Sequence, residues 1–438
     1  MLNINNIYTN WGKNISIKKK VINPRTLKEI KKNLSKKSCI VSGNLRSFND
    51  SVFNNQTIIN LKNFNKIKYF DTKKGVIDLE CGILLSDFLK KIIKEGWFIP
   101  VTPGTKYVTV GGMIANNIHG KNLKNNQFRH YIKELKIIDN KKKIITCNKK
   151  KNKKLFETTI GGFGLTGIIL SAKIYLKKIN SVYIDQKIIK FNSLSDLLNK
   201  LKTNSNYEYN VNWVQKIKEN SIKGLMYFGK HSEPDKTNNI ELNFPDKKMN
   251  FLQNILLKFF TQKQYFLNIL NLLYKIFTLW SYKKKILFYD FFYPQDKLKD
   301  FNKIYKNGFF QIQFLTKSKD LIMITNKLKK FFEMNNLHST FIILKTFNEK
   351  GENLDFFNKG ISISLDVPIL KNKKEIIKSF FNNLVTKHNL NINFSKDSIL
   401  SKQTASKNKN YLKFKKKINN FNANKKFNSF FSQRLGIS

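Results

Sequence analysis

Three kinds of hydrophobic spacing divide the chain. Asn23-Pro24 followed by Leu27, Ile30 and Leu34 reads as an N-cap, a proline at the first helical position and an apolar stripe, so a short helix is expected there. Residues 39–43, 57–61 and 76–81 are short β-rich runs separated by turn-forming Asn, Asp and Gly, and predict strands. Leu85, Phe88, Leu89, Ile92 and Ile93 recur at helical spacing and stop at Gly96, a good residue just past a helix end. Ile168, Leu170, Ala172, Ile174 and Leu176 alternate with their neighbours as a strand does. From Ser181 a second unit follows, with strand-like runs at 310–315, 341–346 and 361–365 and a helix over 373–388.

The most apolar stretch, 251–282, carries helical periodicity through Leu256, Phe259, Ile269, Leu272, Leu273 and Ile276. Lys258, Lys263 and Lys275 interrupt it before it reaches the roughly 20 apolar residues a bilayer span needs. Core helices or a helical lid are one reading. An interfacial helix is the other, because Trp280 and Tyr282 sit beside Lys283, Lys284 and Lys285. Residues 1–20 lack the apolar core and cleavage site of a signal peptide, so a cytoplasmic protein is expected, with peripheral contact at the inner membrane face if the interfacial reading holds. Residues 142–154 are a charge run, read as a solvated loop.

Composition changes the picture in one respect. The 438 residues carry 81 Lys+Arg against 29 Asp+Glu, a formal charge of +52, yet only Arg25, Arg46, Arg129 and Arg434 are arginines. A surface selected to read phosphates or bases would use the bidentate fork of Arg. The excess of Lys, with abundant Asn, Ile and Phe, is instead a compositional bias. No specific nucleic-acid partner is expected, only salt-sensitive attraction to polyanions and anionic membranes. Cys39, Cys81 and Cys147 are odd in number and widely spaced, and the five His form no metal-binding pair, so neither disulfides nor a metal is expected and a reducing compartment fits best.

The chemistry-bearing segment begins at Val101. Residues 101–122, Val-Thr-Pro-Gly-Thr-Lys-Tyr-Val-Thr-Val-Gly-Gly-Met-Ile-Ala-Asn-Asn-Ile-His-Gly-Lys-Asn, are small and polar with paired glycines, as suits close approach of backbone to a ligand. Gly162, Gly164 and Gly167 match the dinucleotide fingerprint, but a strand follows where a helix is required, which rejects a Rossmann site.

At Val101–Gly112 and Ile118–Asn122, then through Gly161–Ile169, Gln311–Gln313, Ile363–Pro368, Ser395–Ser398 and Phe427–Leu435, the chain resembles the flavin oxidoreductases of the vanillyl-alcohol-oxidase type, with a PCMH-type FAD-binding domain. Within them it is most similar to the branch acting on polyprenyl-phosphoryl ribose. The resemblance implies an α+β protein: a two-subdomain FAD-binding domain over 1–180, a separate α+β substrate domain on an antiparallel sheet over 181–390, holding 251–282 as a membrane-facing candidate, and a return to the FAD domain over 391–438.

By the same resemblance, Gly43, Asn44, Leu45, Arg46, Ser47, Phe48, Asn49 and Asp50 form the first pyrophosphate loop. Gly104, Thr109, Val110, Gly111 and Gly112, with Asn116, Asn117, Ile118 and His119, form the second, and Ile168 and Asn393 are further flavin contacts. The first loop departs from the family at Asn44, Leu45 and Asn49, where small residues and glycines are usual. Phe48 and Phe292 stand where the nearest branch has Tyr, and Ser362 and Ser364 where it has Asn and Cys. Neither loop has His or Cys where covalent relatives tether the flavin, which implies non-covalent FAD.

The resemblance also assigns roles. Lys396 is the candidate catalytic base for the substrate hydroxyl proton, and His119 supports orientation near the ring. Lys121, Gln311, Gln313, Lys345 and Ser362 are candidate substrate contacts. Plainer readings stand beside these. Any one of 77 lysines is more often a solvated charge, His119 is as readily a structural hydrogen-bonded histidine, and Gln311 and Gln313 could be two polar side chains facing solvent.

The implied reaction is FAD-dependent oxidation of the 2-hydroxyl of a polyprenyl-phosphoryl pentose to a ketone, the first half of a 2-epimerisation completed by a separate NAD(P)H-dependent short-chain reductase. The alternatives are a flavin oxidase of a soluble sugar, alditol or aldonolactone, and a non-catalytic basic protein that binds membrane or nucleic acid.

Overall fold

The computed structural model describes residues 7–34, 38–233, 282–297 and 301–438. The apolar stretch 251–281 lies outside the described residues. Among those that are described, no helix is long and apolar enough to cross a membrane.

The N-terminal part is built on small sheets. After the hairpin β1 (Ile7–Thr9) and β2 (Ser16–Lys18), the strands β3 (Val21–Ile22), β4 (Cys39–Ser42) and β5 (Thr57–Asn60) form a parallel sheet in the order β3-β5-β4. The helix Leu27–Asn33 packs Ile30 and Leu34 on it, as the stripe predicts. Its N-cap is Thr26 rather than Asn23, because the Thr26 hydroxyl accepts the Glu29 N–H at 3.2 Å.

β6 (Ile67–Asp71), β7 (Val76–Glu80), β9 (Ile132–Ile138), β10 (Ile144–Asn148) and β11 (Ile168–Tyr175) make an antiparallel sheet in the order β10-β9-β11-β7-β6. The helix Leu85–Lys94 buries Leu85, Phe88, Leu89, Ile92 and Ile93. Gly96 follows at φ +73°, a conformation that favours glycine. The charge run 142–154 is not a plain loop: β10 lies inside it with Cys147 buried, and the helix Lys153–Thr159 begins at its end. Two short strands, β8 (Trp97–Phe98) and β12 (Lys177–Lys178), pair beside the larger sheet.

The chain then enters an eight-stranded antiparallel sheet. β13 (Tyr183–Phe191), β14 (Tyr209–Lys218), β15 (Ser221–His231), β16 (Lys283–Leu287), β17 (Phe309–Thr316), β18 (Ile342–Phe347), β19 (Gly360–Pro368) and β20 (Asn391–Ile392) take the order β16-β13-β15-β14-β18-β19-β17-β20. One face packs on the helices Leu321–Met334 and Lys374–His388 through Leu321, Ile324, Leu328, Ile377 and Phe381. The protein is thus α+β. The chain leaves this sheet after Ile392. The last segment rejoins the parallel sheet, with Phe427 bridging Cys39 and the Cys39 N–H bonded to the Lys426 carbonyl at 2.8 Å.

Candidate functional site

Two glycine-bearing loops meet face to face. The loop after β4 and the loop before the helix Val110–Ala115 touch at Gly43, where an added Cβ would lie 2.3 Å from the Thr109 hydroxyl. Asn44 Nδ2 reaches the Tyr107 carbonyl at 2.8 Å and Asn60 Nδ2 holds the Gly43 carbonyl at 2.6 Å. Thr109 caps the helix through the Gly112 N–H at 3.3 Å. A Cβ at Gly104 would meet nothing within 4 Å, and one at Gly112 only Thr109, so these two glycines face open space. Gly111 differs, because its N–H bonds the Cys81 carbonyl at 2.8 Å and a Cβ there would lie 3.0 Å from that same oxygen.

These loops form one wall of a cavity of about 940 Å³, within the range of ligand-binding clefts. The opposite wall is the free face of the large sheet. Strand periodicity places Ser362, Ser364 and Asp366 of β19 on that face, with Gln311 and Gln313 of β17 beside them in register and Lys345 of β18 opposite Ser362. Next to this polar floor lies an apolar flank of Trp213, Phe301, Ile304, Phe341 and Ile343. The segment 290–296 closes one side. Tyr293 meets the Thr102 hydroxyl at 2.5 Å, and Lys121 Nζ donates to the Phe291 carbonyl.

The polar floor is wired together. Gln313 Nε2 donates to Ser362 Oγ at 2.7 Å, and Gln313 Oε1 accepts from Asn393 Nδ2 at 2.8 Å. The same oxygen lies 3.2 Å from His119 Nε2. Gln311 Nε2 donates to Asp366 Oδ1 at 2.7 Å, and Lys396 Nζ lies 3.5 Å from Ser364 Oγ. Lys345 Nζ donates to the Gly120 carbonyl at 3.0 Å.

Electrostatics follow from this crowding. Burial lowers Lys396 to about 8, with Asp366 opposing the shift. Burial lowers Lys121 to about 7. Lys345 falls well below the ordinary lysine range through burial, then through Lys396 and Lys121. Burial, Lys345 and Lys396 keep His119 neutral, while its contacts to Gln313 and Gly120 oppose them less strongly. Burial raises Asp366 to about 6 against the pull of Gln311 and Lys396.

The site residues expected from sequence divide into two groups. Gly43–Phe48, Gly104, Thr109, Gly111, Gly112, Asn116–His119, Asn393 and all seven catalytic and substrate candidates line the cavity. Asn49, Asp50, Val110 and Ile168 do not. Asn49 is buried with Nδ2 on the Phe394 carbonyl at 3.0 Å, and Asp50 binds Arg434. Val110 is core, its N–H bonded to the Ile83 carbonyl at 3.0 Å. Ile168 points into the small cluster beneath the parallel sheet, and the alternation of β11 turns Ile169 to the cavity instead.

The departures in the first loop do not close it. Asn44 bridges the two loops, Asn49 faces away, and Leu45 takes a left-handed φ of +53°, a conformation costing about 1–2 kcal/mol for a non-glycine residue. Asp366 carries no role in the sequence reading, although the alternation Ser362, Ser364, Asp366 within an apolar strand was the available signal.

A glycine-lined cleft thus faces a wired polar floor, and the sequence comparisons say what class of protein carries it. Residues 20–148 match the FAD binding domain family, of PCMH type, so FAD is the cofactor and the protein is an oxidoreductase. That sets aside the reading as a non-catalytic basic protein.

Over 358 residues the chain is 25% identical to decaprenylphosphoryl-β-D-ribose oxidase of Mycolicibacterium smegmatis, covering 77% of this chain and 76% of that protein. It is 30% identical over 112 residues to cytokinin dehydrogenase 1 of Arabidopsis thaliana, 25% of this chain and 20% of that one. It is 25% identical over 114 residues to L-gulonolactone oxidase of Bos taurus, 26% of each.

The residues present fit FAD. Gly104 and Gly112 leave backbone open to the cavity, and Asn116 Oδ1 is buried there without a hydrogen-bond partner among the described residues.

Proposed function

We propose that this protein oxidises the 2-hydroxyl of a polyprenyl-phosphoryl pentose to a ketone, with FAD held non-covalently between the loops 43–48 and 104–119. We read the parallel and the five-stranded antiparallel sheets as the two halves of a PCMH-type FAD domain, and the eight-stranded sheet as the substrate domain. The observation that carries the substrate class is the pairing of a polar floor bearing three lysines with an apolar flank in one cavity. Gln311, Gln313, Ser362 and Asp366 suit sugar hydroxyls, Lys121 and Lys345 suit a phosphate, whose negative charge would oppose the lowering that burial imposes on both, and Trp213, Phe341 and Ile343 suit a prenyl chain.

Bound FAD supplies the acceptor for the hydride that leaves the carbinol carbon. The chain supplies the proton step. With burial lowering its ammonium to about 8, Lys396 presents a neutral amine to a useful extent near pH 8 and takes the hydroxyl proton as the C–O bond becomes C=O. Ser364 stands beside that amine, while neutral His119 fixes Gln313 and through it Ser362.

The product ketone suits a separate NAD(P)H-dependent short-chain reductase as the next enzyme. A lipid substrate places the protein peripherally at an anionic inner membrane surface, which its charge of +52 favours. The polar floor alone would also accept a soluble sugar or aldonolactone, a reading that the partial match to L-gulonolactone oxidase favours. Turnover assayed with and without the prenyl chain separates the two. A requirement for the chain supports the lipid substrate, and equal rates with soluble pentose or aldonolactone contradict it.

A further inference from the structure

In a chain whose other 77 cations are lysines, three of four arginines stand at joints of the fold. Arg46 lies 4.0 Å over the Trp11 ring, and Arg129 pairs with Glu352 and Asp355. Arg434 makes the most complete set of bonds. Nε and Nη2 grip Asp50 Oδ2 and Oδ1, each at 2.8 Å. Nη1 donates to Asp397 Oδ2 at 3.0 Å and the Leu400 carbonyl at 2.6 Å, and Nη2 also to the Asp397 carbonyl at 3.1 Å. All five N–H donors of the fork are used, which a lysine ammonium cannot copy. Burial opposes the charge, but Asp397 and Asp50 more than restore it.

What these bonds join matters more than their number. Asp50 ends the first FAD loop, and Asp397 directly follows Lys396. Asp397 Oδ1 also accepts the N–H groups of Ile399 and Leu400 at 2.9 Å each, so the carboxylate shapes the turn that carries Lys396. Asn49 repeats the link through the Phe394 carbonyl, and Ser395 Oγ ties the same turn to the Asn116 carbonyl of the second loop at 3.3 Å. Both carboxylates are almost fully buried, so neither can turn to water if the fork is removed.

We propose that Arg434 is a positioning residue that couples the first FAD loop to the turn bearing Lys396, so that FAD retention and the placement of the Lys396 amine stand or fall together. This extends the proposed function by naming what holds its base in place, and it rests on that reading only for the role of Lys396.

The test uses the holoenzyme with two readouts that need no substrate. One is the rate of FAD release on dilution, followed by flavin fluorescence. The other is the rate of acetylation of Lys396 by acetic anhydride at saturating FAD, read by peptide mass spectrometry against exposed Lys74. Arg434→Gln is expected to speed both by about tenfold, the loss of one charge-assisted hydrogen bond or more, with Arg434→Lys recovering only part. Asp50→Asn, which touches the loop side alone, is expected to raise Lys396 acetylation as well as FAD release, and it serves if Arg434→Gln does not fold. Coupling is overturned if Asp50→Asn changes FAD release while Lys396 acetylation stays at the wild-type rate, or if Arg434→Gln leaves both within twofold. Neither readout involves turnover, so failure of the proposed reaction would not register in it.

Discussion

His119 Nε2 and Gln313 Oε1 face each other at 3.2 Å across the seam between the loop 104–119 and the large sheet. Nδ1 of the same ring lies 3.3 Å from the Gly120 carbonyl, so both ring nitrogens face acceptors. Only an imidazolium could donate to both, yet burial beside Lys345 and Lys396 holds the ring neutral. A neutral ring therefore donates to only one of them, Gln313 from Nε2–H or Gly120 from Nδ1–H, and a cage of Phe347, Phe356 and Phe357 at 5.4, 5.5 and 6.3 Å fixes the ring plane.

His119→Phe keeps an aromatic ring in that cage and removes the ring nitrogen that faces Gln313. Flavin reduction by substrate is expected to slow by about tenfold, the loss of a hydrogen bond that orients the floor, with FAD still bound. Rapid-mixing absorbance under anaerobic conditions reads the rate, and the visible spectrum reads the cofactor. A variant that reduces at the wild-type rate would show that His119 only fills space.

Lys396→Met should abolish substrate-dependent flavin reduction while FAD remains. In the wild type, the competent form is the neutral amine. The rate should therefore fall about tenfold per pH unit well below the value of about 8 that burial sets for Lys396, and level off above it. A reduction rate flat from pH 6 to 9 would remove Lys396 as the proton acceptor.

Asp366→Asn deletes the carboxylate that favours the Lys396 ammonium. The sign is fixed: without that negative charge the ammonium is less stable, so the midpoint of the pH–rate profile moves below its wild-type position. The Michaelis constant should rise at the same time, since Asp366 lies on the polar floor of the cavity. A midpoint that moves upward, or not at all, contradicts the pairing.

The glycines separate steric from cofactor effects. Gly43→Val drives a methyl into Thr109 and should cost about 1–3 kcal/mol of stability along with FAD. Gly112→Val meets only Thr109 at 3.3 Å and should fold with nearly unchanged melting temperature of the apoprotein, yet bind FAD poorly. Thermal melts with and without added FAD distinguish the two. Wild-type FAD affinity in Gly112→Val would move the cofactor away from this loop.

Much of this architecture is legible in the sequence because its cues are local. The helix Leu85–Lys94 shows its stripe and Gly96, and β11 its alternation. The small-residue run 101–122 announces a backbone that must approach a ligand. What is not legible depends on contacts far apart along the chain. Asn49 and Asp50 sit in the right loop but turn inward, because their partners Phe394 and Arg434 are more than 340 residues away. Ile168 and Ile169 are both apolar, so only the register of β11 against β9 decides which one faces the cavity. Among 77 lysines only its place in the Ser395–Ser398 motif singles out Lys396, and nothing local to it foretells the turn that ties Ser395 to Asn116.

The most direct test of the account is the visible spectrum of the purified holoenzyme, before and after acid precipitation, followed by anaerobic addition of a polyprenyl-phosphoryl ribose. The account predicts flavin bands that acid releases into solution and that the lipid-linked sugar bleaches. Flavin that stays with the acid precipitate, or that bleaches with soluble sugars and not with the lipid-linked one, would contradict it.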